Sequence, residues 1–562
     1  MKKAKWMLAA ALGIIMVCFF SSWFIQTNGG QVSIQPFSVI TSEGGTISGQ
    51  IFCPKQAGSE TPAPAIVTCV GGNNSYSMMR NLNAELARAG YVVITYSSYK
   101  HGASGLMETD TMGASEILRY VQTLDFVDQN RIGVMGHTRG GGYLFKAALA
   151  NGGVRAALKL DAVELFGSLY GYTPDTTINC GWIMSNYNEY SLNPRGFRTD
   201  PALQKVFGVD EEIETGVVYG DFAQRTARIV YEVDTIDSVY PFSTGYAAAM
   251  LDFFSQALDT PQCSPVPVWP LLEGISAISL VAMTAAMLAV SALLLNRAGL
   301  LRKRQFPDAD GVMHCRNGYV FLNLLIVAVP FLPLYMLGKR ILEPNPLFPQ
   351  NDTNGLAIWA LFAGLLYWCL LFVRHRNRKN PGLRSRMAVT PQELAKFFLA
   401  ATLVFLGIYA VNWLGNSALH TTFRLFCTYF EPLTLRRVLA ACTCFPLFLL
   451  YFLLAEGFRT EPGLHSRGAG LTEYALGILF YAGGFVLLYG LNYLGFPLIG
   501  HSLFHGARFA FGPILAIVPG LIMAGIISVW GYRKTGKVYF AAFLNTFLFV
   551  WLLTGSNAFY YQ

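Results

Sequence analysis

Nine long apolar stretches constrain this chain more than any other feature. Residues 6–25 read WMLAAALGIIMVCFFSSWFI, without a single charge. From Trp269 onward, apolar runs recur at 269–295, 319–338, 355–373, 394–414, 437–456, 471–493, 509–530 and 538–554. A helix needs roughly 20 apolar residues to cross a bilayer, and backbone groups in lipid have no water to bond. Such runs are therefore expected to fold as spanning helices. They predict an N-terminal transmembrane anchor over residues 1–25 and an all-α, eight-span polytopic bundle over 269–562. A cleaved signal would have a shorter apolar core ending in small residues. This run ends in Trp23, Phe24 and Ile25, which reads as an uncleaved anchor.

Residues 26–268 remain, and charge says which side they occupy. The formal net charge of +8 suggests a nucleic-acid partner at first sight. It divides instead into −8 over residues 26–268, +3 before them and +13 after them. Lys and Arg concentrate in cytoplasmic loops of membrane proteins. With the N-terminus inside, the cytoplasmic segments carry 19 Lys and Arg, against six in the outer loops of the bundle. The surplus is thus an orientation signal, and no nucleic-acid partner is expected. The cytoplasmic segment RNRKNPGLRSR weighs most. The expectation is a multi-pass cell-membrane protein with a cytoplasmic N-terminus, and with residues 26–268 and the C-terminus outside. Ionisable groups near mid-span are almost absent, which argues against an ion carrier.

The outer segment alternates strand-like and helix-like runs, the pattern of a mostly parallel sheet with flanking helices. PAIVTCV (64–70), YVVITYS (91–97), RIGVMGH (131–137), AALKLD (156–161), INCGWIMSNYNEY (178–190) and ARIVYEV (227–233) read as strands. MMRNLNAELARAG (78–90), ASEILRYVQTLDFV (114–127) and TGYAAAMLDFFSQALD (244–259) read as helices. DTPQCSPVPVWP (259–270), with four Pro, reads as a stiff linker to the bundle. The fold class is α/β, joined to the membrane bundle.

One turn carries the chemistry. Gly136-His137-Thr138-Arg139-Gly140 lies between a hydrophobic strand and a small-residue helix, and it resembles the G-x-S-x-G nucleophile elbow. Val70-Gly71-Gly72-Asn73-Asn74 sits where an oxyanion loop would follow its strand. Tyr99-Lys100-His101-Gly102-Ala103-Ser104-Gly105 is similar to a G-H-G-x-S-G stretch. Taken jointly, residues 32–260 resemble the α/β-hydrolase superfamily. The whole chain looks like its membrane-bound members with a C-terminal multi-span bundle.

The resemblance implies a hydroxyl nucleophile, a base and an orienting acid. The matching positions are Thr138 for the nucleophile, Asn188 for the acid and Asp237 for the His, so each departs from the pattern. Gly72, Asn73 and Arg139 match an oxyanion pocket. The outer segment holds only two His, His101 and His137. His137, the residue before the nucleophile, is expected to point away from it. An atypical or degenerate ester, acyl or peptide hydrolase follows from the fold, acting on an amphiphilic or envelope-derived molecule. A catalytically inactive pseudoenzyme that binds a ligand or partner follows from the departures. A transporter or membrane transferase with an accessory outer domain is the third reading. No Cys-x-x-Cys spacing occurs, His501 and His505 lack a third ligand, and no metal or cofactor is expected. Cys53, Cys69, Cys180 and Cys263 lie where disulfides form.

Overall fold

The computed structural model describes residues 1–161, 171–262, 266–301, 313–377, 387–461 and 470–560. Cys263 and most of the basic segment RNRKNPGLRSR lie outside the described residues. Helix α1 (Lys2–Gln26) leads into a sheet of eight strands: β1 (Val32–Ile40), β2 (Thr46–Pro54), β3 (Ala63–Cys69), β4 (Val92–Tyr96), β5 (Val127–His137), β6 (Val154–Leu160), β7 (Asn179–Ser185) and β8 (Arg228–Val233). Their order is β1-β2-β4-β3-β5-β6-β7-β8. The β1–β2 and β2–β4 pairs are antiparallel, and every pair from β4–β3 to β7–β8 is parallel.

The parallel strands are buried on both faces, which explains their continuous apolar runs. Helices α2 (Arg80–Arg88) and α6 (Thr244–Ala257) cover one face through Leu82, Leu86, Met250 and Phe253. Helices α3 (Ala114–Val121), α4 (Thr138–Asn151) and α5 (Pro201–Phe207) cover the other, through Ile117, Leu144 and Phe207. The six expected strands all form, as do the three expected helices and the small-residue helix after the elbow; β5 and β6 begin earlier than expected, β3 is shifted by one residue, and most of the others are shorter. β1 and β2 went unread because Pro36, Gly49 and scattered polar residues break their alternation. α5 went unread as well. It begins with Asp200 capping the amides of Ala202 and Leu203 and stops at Gly208, after only two turns.

Nine helices among the described residues are long and apolar enough to cross a membrane, which is compatible with a multi-pass membrane protein. They are Lys2–Gln26, Trp269–Arg297, Val320–Ile341, Asn351–Val373, Pro391–Leu419, Leu435–Arg459, Gly470–Ile499, His505–Thr535 and Tyr539–Ser556. The helix Lys2–Gln26 packs along Trp269–Arg297, through Ile15 and Phe19 among others.

The carboxyl ends of the strands meet the bundle. Ser75 Oγ donates to Glu431 at 3.2 Å, and Cys427 Sγ donates to the Ser238 carbonyl at 3.2 Å. Tyr493 and Ser502 hydroxyls reach Glu189, at 3.1 Å each. Cys427 and Tyr429 belong to the same apolar core as Met79, Tyr240 and Met250. The segment after the last bundle helix also reaches these loops. The Ala558 amide donates to Asn73 Oδ1 and the Phe559 amide to the Lys100 carbonyl.

Candidate active site

The elbow is built from close approach. A Cβ on Gly140 would fall 2.5 Å from the Val70 carbonyl, and one on Gly141 would fall 2.5 Å from that of Gly136. Glycine at these positions lets α4 start against β5 and β3. Thr138 takes the sharp turn with φ +43°, in the left-handed region. That conformation costs a β-branched residue about 1–3 kcal/mol, and such strain clusters at functional turns. Amides in the first turn of a helix have no intrahelical acceptor, so the start of α4 is a natural place for negative charge.

His137 is not turned away from Thr138, contrary to the sequence expectation. A Cβ on Gly71 would collide with Thr138 Oγ1 and fall 3.0 Å from His137 Nδ1. The hydroxyl and the ring nitrogen therefore border one space over Gly71. The imidazole stacks on Tyr240, with centroids 4.0 Å apart. Its Nε2 bonds Asp237 Oδ1 at 3.0 Å, while its Nδ1 is buried without a hydrogen-bond partner. The sequence signal for this placement was only that His137 is one of two His in residues 26–268. Strand alternation assigns it to the opposite face from Thr138, but the left-handed turn at Thr138 ends that alternation.

Asp237 is the centre of a buried polar network. Its Oδ2 accepts from Asn188 Nδ2 at 3.2 Å, and the same amide donates to Asp161 at 3.1 Å. The amides of Asp237 and Ser238 donate to the Glu189 carboxylate, at 2.9 and 3.0 Å. So the structure brings Thr138, Asn188 and Asp237 to one place, and it adds His137, Asp161 and Glu189. Asp161 closes the run AALKLD, which was read only as a strand. Nothing local in the sequence sets it apart from a strand-end residue.

Burial raises the carboxyl pKa values of Asp237 and Glu189, and the charge of Asp237 lifts Glu189 further. Burial also raises Asp161, to about 6, with Asp237 adding to the rise. In this buried site each ionised carboxyl group disfavours ionisation of the next. Burial pushes the His137 imidazole down to about 4, against the pull of Asp161 and Glu189.

His137, Asp161 and Asp237 are also the one group among the described residues with ligand atoms close enough for a metal, within 4.8 Å. The donors around them argue for a hydrogen-bonded cluster. Asp161 accepts from the Ser185 amide and hydroxyl, Asn188 Nδ2 and Tyr246 Oη. A cation would have to displace these bonds.

Of the residues expected to form an oxyanion pocket, Asn73 has its amide engaged elsewhere. The Asn73 amide donates to His101 Nε2 at 3.1 Å and is not free for a substrate oxygen. His101 Nδ1 lies 2.8 Å from the Tyr99 carbonyl, to which it donates, so the ring is the neutral tautomer. Burial holds its pKa near 4. His101 is thus a loop brace. Arg139 is exposed, and its Cδ would lie 3.8 Å from a Cβ on Gly72. His501 and His505 lie with ring centroids 6.1 Å apart, remote in sequence and without a described third ligand. Cys53, Cys69 and Cys180 are free thiols.

Comparison with known proteins finds similarity over part of the chain. The profile of a family described as PET hydrolase-like matches residues 21–167, a stretch that contains both the elbow and the loop after β3. An uncharacterized protein of Escherichia coli K12, YcjY, is 30% identical over 133 residues, which are 22% of this chain and 43% of that protein. The chain thus spans less than half the length of that curated relative. A hypothetical protein of Pseudomonas aeruginosa, PA2218, is 21% identical over 25% of this chain and 47% of its own, with a TM-score of 0.22. A glucuronoyl esterase from Solibacter usitatus is 13% identical over 41% of this chain and 82% of its own, with a TM-score of 0.31. Strand order and glycine-packed elbow give the sheet-bearing part of this chain an α/β-hydrolase-like fold, and residues 21–167 are similar to the PET hydrolase-like family.

Proposed function

We propose that this is a membrane-embedded hydrolase of ester or acyl bonds whose triad is rewired. Thr138 is the nucleophile, His137 the base and Asp237 the orienting acid. The observation that carries the reading is His137 itself, with Nε2 held by Asp237 and Nδ1 unpartnered beside Thr138 Oγ1. In the first step Thr138 Oγ1 attacks the carbonyl carbon and its proton passes to Nδ1. The leaving alcohol takes that proton as its C–O bond breaks. Water then repeats the sequence and frees the acid. Asn188 steadies Asp237 by hydrogen bond, where a charged acid would be expected. A base held near 4 has little driving force to take a hydroxyl proton, so turnover should be slow.

The charge distribution supports an outer-face site and a cytoplasmic N-terminus. The junction with the bundle favours an amphiphilic substrate drawn from the envelope. Residues 26–268 are the catalytic unit in this reading, and 269–562 its membrane seat. A non-catalytic ligand-binding role is the second reading, favoured by the commitment of the Asn73 amide to His101.

Purified protein in detergent, assayed on p-nitrophenyl esters of graded acyl length, separates the two. Hydrolysis abolished by Thr138→Ala supports the enzyme, as does fluorophosphonate labelling of Thr138. No turnover above background and no labelling would leave the binding role.

A further inference from the structure

A second polar cavity lies away from the elbow, where β2, β4 and α2 face the bundle segment 416–424. It measures about 20 Å³, and Arg80, Asn83, Thr95, His420 and Arg424 are among the residues that line it. A cavity needs roughly 10–15 Å³ to hold one water, so this one takes a single small group and not a whole organic substrate.

Three of its donors have nothing to bond. Arg80 Nη2, Asn83 Nδ2 and Thr95 Oγ1 are buried without partners, and Asn83 and Thr95 are at most 1% exposed. Native proteins rarely leave buried polar atoms unpaired, and each lost bond costs about 1–3 kcal/mol. The Asn83 carbonyl is already taken by the Thr68 hydroxyl at 2.9 Å, which leaves the amide nitrogen as the unpartnered end of a residue that lines the cavity. Arg80 Nε is likewise fixed on Gln26 Oε1 at 2.5 Å. No Asp or Glu lines the space. Glu273 holds Arg424 from behind, and Glu431 is engaged by Ser75. Burial and the neighbouring Arg424 press the Arg80 guanidinium down to about 9, against the pull of Glu273 and Glu431.

Two guanidinium groups, an amide and a hydroxyl reach the space from a helix, a strand and a facing loop. That arrangement suits a tetrahedral oxyanion better than the single plane of a carboxylate. Gln26 ends the apolar helix Lys2–Gln26, and Asn416 and His420 end Pro391–Leu419, so the cavity sits where apolar helices give way to polar loops. We infer that Arg80, Asn83 and Thr95, with Arg424, form a binding site for a phosphate oxyanion, supplied by a phospholipid headgroup. The site is independent of the elbow and requires no catalysis.

The test uses the full chain, purified in non-ionic detergent without phosphate. Binding of [32P]orthophosphate is measured by equilibrium dialysis, and retention of added phosphatidylglycerol by native mass spectrometry, with diacylglycerol as the phosphate-free comparator. Arg80→Gln should weaken phosphatidylglycerol retention at least tenfold, and the nearly isosteric Thr95→Val severalfold. Arg119→Gln, on the exposed side of α3, should leave it unchanged. Retained lipid without free phosphate assigns the site to headgroups, and binding of both assigns it to the oxyanion from either source. A wild-type protein that holds neither overturns the proposal. So does binding indifferent to both Arg80→Gln and Thr95→Val, or equal retention of diacylglycerol.

Discussion

At the scale of single residues, the proposed site turns on a histidine in an unusual place. Asp237 occupies the loop after β8, where a base is expected, and His137 occupies the elbow. The two side chains meet at 3.0 Å, so the pair is kept while the chain positions are exchanged. His137→Asn should therefore lower kcat by about 10²–10⁴-fold in the ester assay while leaving KM nearly unchanged. The pH profile follows from burial. The imidazole must be neutral to accept a proton, and its pKa is lowered to about 4, so the neutral form prevails above that value. The acid limb of kcat/KM should fall as pH drops through about 4, well below the ordinary histidine range near 6.5. Burial raises the Asp237 carboxyl to about 7, so a limb near 6.5 reports protonation of that acid if Asp237→Asn removes it, and a solvated His137 or another base if it persists in that variant. Thr138, Asn188 and Asp237 were readable as matched positions, because each sits a fixed step beyond its strand. His137, Asp161 and Glu189 were not. Their meaning comes from contacts across 100, 24 and 48 residues, which no local pattern encodes.

At the scale of elements, the sheet was legible where burial on both faces writes an unbroken apolar run. It was illegible at β1 and β2, whose burial alternates irregularly along half-solvated strands. The glycines of α4 were legible as a packing device, and the structure supplies the atoms they avoid. Gly140→Ala would force a Cβ to 2.5 Å from the Val70 carbonyl, backbone against backbone. It should destabilise the protein by about 1–3 kcal/mol, read as a lower midpoint in thermal unfolding followed by tryptophan fluorescence. Gly58→Ala, with nothing within 4 Å of its new methyl, is the matched control and should shift the midpoint little. Equal effects of the two would remove close packing as the reason for the glycine run.

At the scale of the whole molecule, the division of charge predicts sidedness. Glu43, in the β1–β2 turn, and Lys534, at the far end of the helix Phe511–Thr535, are both exposed. Cysteines placed at each, in a background without Cys369 and Cys442, should react differently with an impermeant maleimide. Glu43→Cys should label on intact cells, and Lys534→Cys only after permeabilisation. The reverse pattern would invert the proposed topology. The nine apolar helices were legible from hydropathy alone, but the interlock between sheet and bundle was not. It depends on polar pairs such as Ser75 with Glu431 and Tyr493 with Glu189, which hydropathy does not weigh.

That interlock sets an order in time. The loops around the elbow are held by Arg437, whose Nε donates to the Gly102 carbonyl, and by the amides of Ala558 and Phe559. Chains fold from the N-terminus as they are made, so the sheet can collapse long before those residues leave the ribosome. The Gly102 carbonyl lacks its partner until the helix Leu435–Arg459 is in place, and Asn73 Oδ1 and the Lys100 carbonyl lack theirs until Ala558 and Phe559 follow the helix Tyr539–Ser556. A half-synthesised chain would therefore carry a folded sheet with an unfinished rim. In the proposed reading, hydrolytic capacity would begin only once that rim is complete.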